Sequence, residues 1–157
     1  MSVSPSATAP GAQPADPALT QTLTEFAGTW YQALDRHDPL AAVTPYLADE
    51  GLVMNFPEGR SRGIAGFAQW YEAVTHRFFD EEHTVLKVEV QQVREDTADV
   101  LVVVNWQTKV WNPPAAASVW MGFDAYQSWT VQLGEAGPRI LTYTVDALTP
   151  MPGSPDL

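Results

Sequence analysis

The chain has 157 residues, 45% of them apolar, and its six Trp, six Phe and five Tyr are enough to fill the core of one domain. Nineteen acidic residues against eight basic ones leave a net charge of −11. There is therefore no basic stripe to track nucleic acid, and an anionic membrane surface would repel the chain. Cysteine is absent, which excludes disulfides and thiolate chemistry, and the three His stand at no metal-ligand spacing, so no metal is expected.

Residues 1–17 carry four prolines and no aromatic residue, the composition of a disordered leader. Residues 150–157 carry three more prolines and read as a flexible tail, which leaves 18–149 as the folded unit. No apolar run approaches the roughly 18 residues of a membrane span, and no basic, apolar-cored signal opens the chain. A cytoplasmic protein is the expectation.

Within 19–36, Leu19, Leu23, Phe26, Ala27, Trp30, Ala33 and Leu34 form a helical stripe. Asp38-Pro39 starts a second, short helix as N-cap and first helical residue, carrying Leu40, Val43, Tyr46 and Leu47. A strand over 52–56 ends at Pro57 and Glu58-Gly59. Gly63 precedes a third helix with Ile64, Phe67, Trp70, Tyr71, Val74 and Phe78 at three- and four-residue intervals. From His83 the period becomes two, giving strands at 84–93, 99–111, 119–133 and 139–148, whose short links make antiparallel neighbours. The order is α+β: a curved antiparallel sheet wrapped around three N-terminal helices, a cone with an internal pocket for a small, largely apolar ligand.

Alternation assigns the inward faces. They are Val100, Val102, Val104, Trp106, Thr108 and Val110 on one strand, and Met121, Phe123, Ala125, Gln127, Trp129 and Val131 on the next. On the last strand they are Leu141, Tyr143, Val145 and Ala147. With the helices, the pocket wall becomes Trp30, Leu34, Met54, Phe56, Trp70, Val104, Trp106, Trp129 and Tyr143, and Gln127, Tyr143 and Tyr71 are the groups to orient a ligand. The opposite face carries Leu101, Val103, Trp111 and Trp120, which call for cover, such as a homodimer through the outer sheet.

Several phrases stand in order: Trp30-Tyr31 with Ala33-Leu34 and Asp38; Tyr46-Leu47-Ala48-Asp49-Glu50; Pro57 with Gly63; Glu95-Asp96-Thr97-Ala98; and a Gly turn before Arg139-Ile140. Over residues 20–148 this order resembles the nuclear transport factor 2-like superfamily, in its SnoaL-like and ketosteroid-isomerase-like branch. The resemblance implies the cone fold, and either cofactor-free acid/base chemistry or a non-catalytic binding or dimerisation module. Ketosteroid isomerases use an Asp base with an oxyanion hole of Tyr and a protonated acid. Their tyrosine, base and second acid fall here on Trp30, Phe56 and Gln127, so steroid-type enolisation is disfavoured. Limonene-type epoxide hydrolases place an Asn where Asn55 stands, yet their Arg–Asp pair is absent from 99–111. SnoaL-like cyclases use an Asp of the last strand. Asp146 is one residue out of phase with that place and qualifies only if a bulge corrects its parity.

The proton-moving candidates are Asp146 and His83, with Tyr143 and Gln127 to orient a carbonyl or hydroxyl. Asp80-Glu81-Glu82 before His83 reads as a solvated acidic face. His37 at the first helix end and His76 on the third helix read as structural.

Overall fold

The computed structural model describes residues 16–157, so all but the last two positions of the leader expected over 1–17 lie outside the described residues. Those two open the first helix. Asp16 accepts at Oδ1 from the Ala18 amide (3.0 Å) and Pro17 takes the first helical position of α1, Pro17–Asp35. Its stripe of Leu23, Ala27, Trp30, Tyr31 and Leu34 is buried. The expected second helix is split into α2, Leu40–Val43, and a 3-10 turn, Thr44–Tyr46. Pro45 has no amide to continue the ladder, and Asp38 pairs its carboxylate with Arg36 at 2.7 Å instead of capping.

A short hairpin follows, β1 Val53–Phe56 and β2 Gly59–Arg62, then α3, Gly63–Arg77. Four long strands complete the chain: β3 Phe78–Arg94, β4 Thr97–Val110, β5 Val119–Gly134 and β6 Gly137–Pro150. They form one sheet in the order β2-β1-β6-β5-β4-β3. The sheet is mixed, not antiparallel throughout, because β1 pairs in parallel with β6. Short links dictate the pairing of sequence neighbours only, and β1 reaches its second partner by the whole length of the chain between them.

The strand over 84–93 begins earlier than its period-two pattern, directly at the end of α3. A register shift between Phe79 and Glu82, with Asp80 at φ +51, breaks the alternation there. On β4 and β5 the inward faces follow alternation. On β6 they do not. Thr130 pairs with Thr142 but Val131 with Ile140, and Tyr126 pairs with Ala147 but Gln127 with Val145, leaving Leu141 and Asp146 as extra residues in two bulges. The inward set is therefore Ile140, Tyr143, Val145 and Leu148, not Leu141 and Ala147. Helices α1 and α3 lie over this concave face, and the main core fills the space between.

Beyond β6 the chain lies back on β5. The Met151 amide donates to the Gly122 carbonyl (2.8 Å) and the Gly122 amide to Ser154 Oγ (3.0 Å). A Cβ at Gly122 would meet Met151 Sδ and the Trp120 ring at 2.6 Å, so any larger residue would displace those two side chains.

The bulge at Leu141 has a direct energetic signature. Ile140→Ala should lower unfolding free energy by about 2–4 kcal/mol and Leu141→Ala by about 1 kcal/mol, measured by urea unfolding. Simple alternation would give the reverse order.

Candidate active site

Between the end of α1, the face of α3 and the concave sides of β3 to β6 opens a pocket of about 80 Å³. Its wall is mostly carbon: Phe56, Trp70, Phe78, Val104, Trp106 and Leu148 among others. Phe56 and Trp70 stack face to face, with centroids 3.8 Å apart and planes 2° apart.

The polar groups in this wall come from a few sequence positions. Asp35, the last residue of α1, reaches β3 and receives two hydrogen bonds from one residue. The His83 amide donates to its Oδ2 at 2.8 Å and the His83 ring meets its Oδ1 through Nδ1 at 2.5 Å. A carboxylate partner requires a proton on Nδ1, which leaves Nε2 of the neutral ring as a bare acceptor. His83 lines the pocket, and among the described residues Nε2 has no hydrogen-bond partner. The ring lies between Tyr31 (4.5 Å, 24°) and Trp106 (6.0 Å, 12°), so its plane is held from both faces.

Gln127 is held by two donors. Its Oε1 accepts from the Tyr31 hydroxyl (3.0 Å) and from Trp129 Nε1 (2.8 Å). Since Tyr31 gives its proton to Gln127, the 3.0 Å contact between the Tyr31 and Tyr143 hydroxyls has Tyr143 donating. The amide group cannot flip without losing both bonds, so Gln127 Nε2 is the donor left to face the cavity. Burial pushes Tyr143 up to about 12, and burial first and then the neighbouring Tyr143 push Tyr31 well above the ordinary tyrosine value. Tyr71 is also raised to about 12, by burial first and then by the charges of Asp38 and Glu81. It donates to the Asp38 carbonyl at 2.6 Å. All three are neutral donors near neutral pH, not bases.

Glu81 belongs to the pocket and not to a solvated face, because the bulge after Phe79 turns it inward. Its Oε1 meets His37 Nε2 at 2.8 Å and its Oε2 accepts from Trp106 Nε1 at 2.9 Å. Two acid–His pairs thus join β3 to the end of α1 and the turn after it: Asp35 with His83, and His37 with Glu81. Sequence reasoning did not single out Asp35, Glu81 or Tyr31. The available signal was the repeated spacing of an acid two residues before a His, at Asp35-Arg36-His37 and at Glu81-Glu82-His83.

The structure brings Leu34, Phe56, Trp70, Tyr71, His83, Val104, Trp106, Gln127 and Tyr143 together in the pocket wall. Trp30, Met54 and Trp129 are buried beneath the wall in the core. Asn55 points to the other side of β1, where its Nδ2 donates to Thr144 Oγ1 (3.0 Å) and its Oδ1 accepts from Arg60 (2.9 Å). Asp146 is the extra residue of a bulge, but the bulge leaves it on the outer face, accepting from Ser128 Oγ at 2.5 Å. His76 is exposed on α3, against the Glu72 carbonyl.

The raised tyrosines set an alkaline limit. In the unfolded chain each would ionise near its ordinary value of 10, while Tyr71 and Tyr143 hold their protons to about 12. Their stabilising contribution is complete below pH 10 and is lost as pH rises towards 12. Melting temperature should fall over that window, and tyrosinate absorbance should show a delayed group of ionisations in the folded protein. A titration of all tyrosines at the ordinary value would contradict this reading.

No family model matches the sequence and no curated protein matches it. Solved structures do match in shape. A protein from Novosphingobium aromaticivorans provisionally named an aromatic ring hydroxylase superposes with a TM-score of 0.74 at 16% identity, covering 87% of this chain and 96% of that one. A protein of the same organism provisionally named a scytalone dehydratase gives 0.70 at 12% identity, over 85% of each chain. The hexachlorocyclohexane dehydrochlorinase LinA-type3 from Novosphingobium barchaimii gives 0.69 at 12% identity, over 89% and 94%. With α1 and α3 over the concave face of a curved six-stranded mixed sheet, the chain has the nuclear transport factor 2-like fold that its sequence resembles.

Proposed function

We propose that the chain is a cofactor-independent acid/base enzyme that catalyses an elimination on a small, largely apolar ring compound. The observation that carries this is the His83 ring at the pocket wall, tied to Asp35 through Nδ1 with Nε2 unpartnered. In this reading Nε2 removes a proton from carbon, the electron pair forms the double bond, and the group on the neighbouring carbon departs. Asp35 holds the tautomer and stabilises the imidazolium that forms. Gln127 Nε2 donates to a carbonyl or developing oxyanion on the ring, with Tyr31, Trp129 and Tyr143 holding the amide in place. Asp146 has no part in it, being outside the cavity. Two of the similar structures bear the names of elimination enzymes, a dehydratase and a dehydrochlorinase, which agrees with a lyase-type reaction in this fold.

Cyclic β-hydroxy ketones and chlorinated cyclohexanes form the natural panel, followed by enone absorbance and by chloride release. For any compound turned over, His83→Gln should lower kcat by about a hundred- to ten-thousandfold and Asp35→Asn by a similar order. Full turnover in His83→Gln would sink the assignment. Binding with no turnover by any compound would favour the non-catalytic ligand-binding module.

The outer sheet face supports a homodimer: Leu101, Val103, Trp120 and Tyr126 share it, and Tyr126 is 43% exposed. Light scattering should give twice the chain mass, and Tyr126→Glu should shift the equilibrium to monomer. A monomeric wild type at micromolar concentration would exclude this contact.

A further inference from the structure

The charge balance of the pocket deepens the elimination reading by naming its substrate class. Two carboxylates, Glu58 at the rim and Glu81 inside, line the pocket, and none of its lining residues is Lys or Arg. The Glu81 side chain is only 9% exposed. Each of its oxygens accepts one bond, from His37 or from Trp106, and an ionised carboxylate oxygen can accept a second. His37 reaches Glu81 from outside the wall, since it is not among the residues that line the pocket. Around these acids stand the rings of Phe56, Trp70, Tyr71, Phe78 and Trp106, whose faces are electron-rich. The whole chain, at −11, adds to the same field.

We propose that the pocket takes a cation: a ring compound bearing a protonated amine, with its nitrogen seated against Glu81. An ammonium group there gains a charge-assisted hydrogen bond and faces aromatic rings on its other sides. A hydroxyl in the same place would gain only a hydrogen bond. A carboxylate would bury a second negative charge beside Glu81, with no Lys or Arg in the wall to meet it. Glu81 and His83 both come from β3, two residues apart, and Gln127 from β5, so an amine held by Glu81 uses neither of the groups assigned to the reacting atoms.

Three probes that share a ring system and differ in charge test this by equilibrium binding: naphthylmethylamine, naphthylmethanol and naphthoate. Calorimetry and ligand-induced melting shifts with the intact chain, at neutral pH and low salt, should place the amine about tenfold tighter than the alcohol, with naphthoate weaker than both. In Glu81→Gln the advantage of the amine over the alcohol should shrink to about twofold or less, while affinity for the alcohol stays within about twofold of wild type. The proposal is overturned if the amine binds no better than the alcohol, if naphthoate binds as well as either, or if the amine's advantage survives Glu81→Gln. It is also overturned if none of the three binds. The wild-type series decides the question even if the variant does not fold. Because no turnover is measured, a failure here leaves the elimination reading standing. Conversely, His83→Gln can abolish or spare turnover without touching the charge preference.

Discussion

One carboxylate closing on one residue organises the site. Asp35 accepts from both the backbone amide and the ring of His83, so a single side chain fixes the end of α1 to β3 and orients an imidazole at the same time. The position is a costly one for an acid. Asp35 is the last residue of α1, where the helix's own carbonyls leave negative partial charge, and no basic residue stands in that last turn to offset it. Two charge-assisted bonds compensate, and the outcome is a ring whose tautomer is dictated by its neighbour and whose free nitrogen faces the cavity.

The second polar group grows from the same helix face. Tyr31 lies four residues before Asp35, hence one turn away on the same side of α1. Its ring stacks on His83 at 4.5 Å while its hydroxyl donates to Gln127. One side chain of α1 therefore touches both the acceptor His83 and the donor Gln127. Most of the remaining wall, from the Phe56–Trp70 stack to Leu148, is carbon that keeps water from competing for those two groups. Glu81 stands apart from this pair, held by His37 and Trp106, and gives the pocket its charge.

Where burial imposes a period, the fold is legible in the sequence: α1, α3 and the inward faces of β4 and β5 follow from the spacing of apolar residues alone. Pocket positions such as Phe56, Trp70, Trp106 and Gln127 come with them. Bulges are another matter. Leu141 and Asp146 are ordinary residues that simply go unpaired, with no glycine to announce them, so the parity of β6 and the direction of Asp146 are settled only by pairing with β5. The same holds for the bulge after Phe79, which turns Glu81 from a surface acid into a pocket acid. Trp30 and Met54 show a limit of a different kind. Periodicity tells which side a residue faces but not its depth, and these two lie beneath the wall. The Asp35–His83 pair joins residues far apart in the chain, and only the tertiary fold brings them to 2.5 Å.

Nitrogen-15 spectroscopy of the histidine rings reads this contact most directly, and with three histidines in the chain the assignment is short. Where the ring is neutral, His83 should show a protonated Nδ1 and a bare Nε2, with the Nδ1 proton shifted downfield by its carboxylate partner and returning to an ordinary position in Asp35→Asn. A His83 ring with its proton on Nε2, or one averaging freely between the two forms, would contradict the site as described.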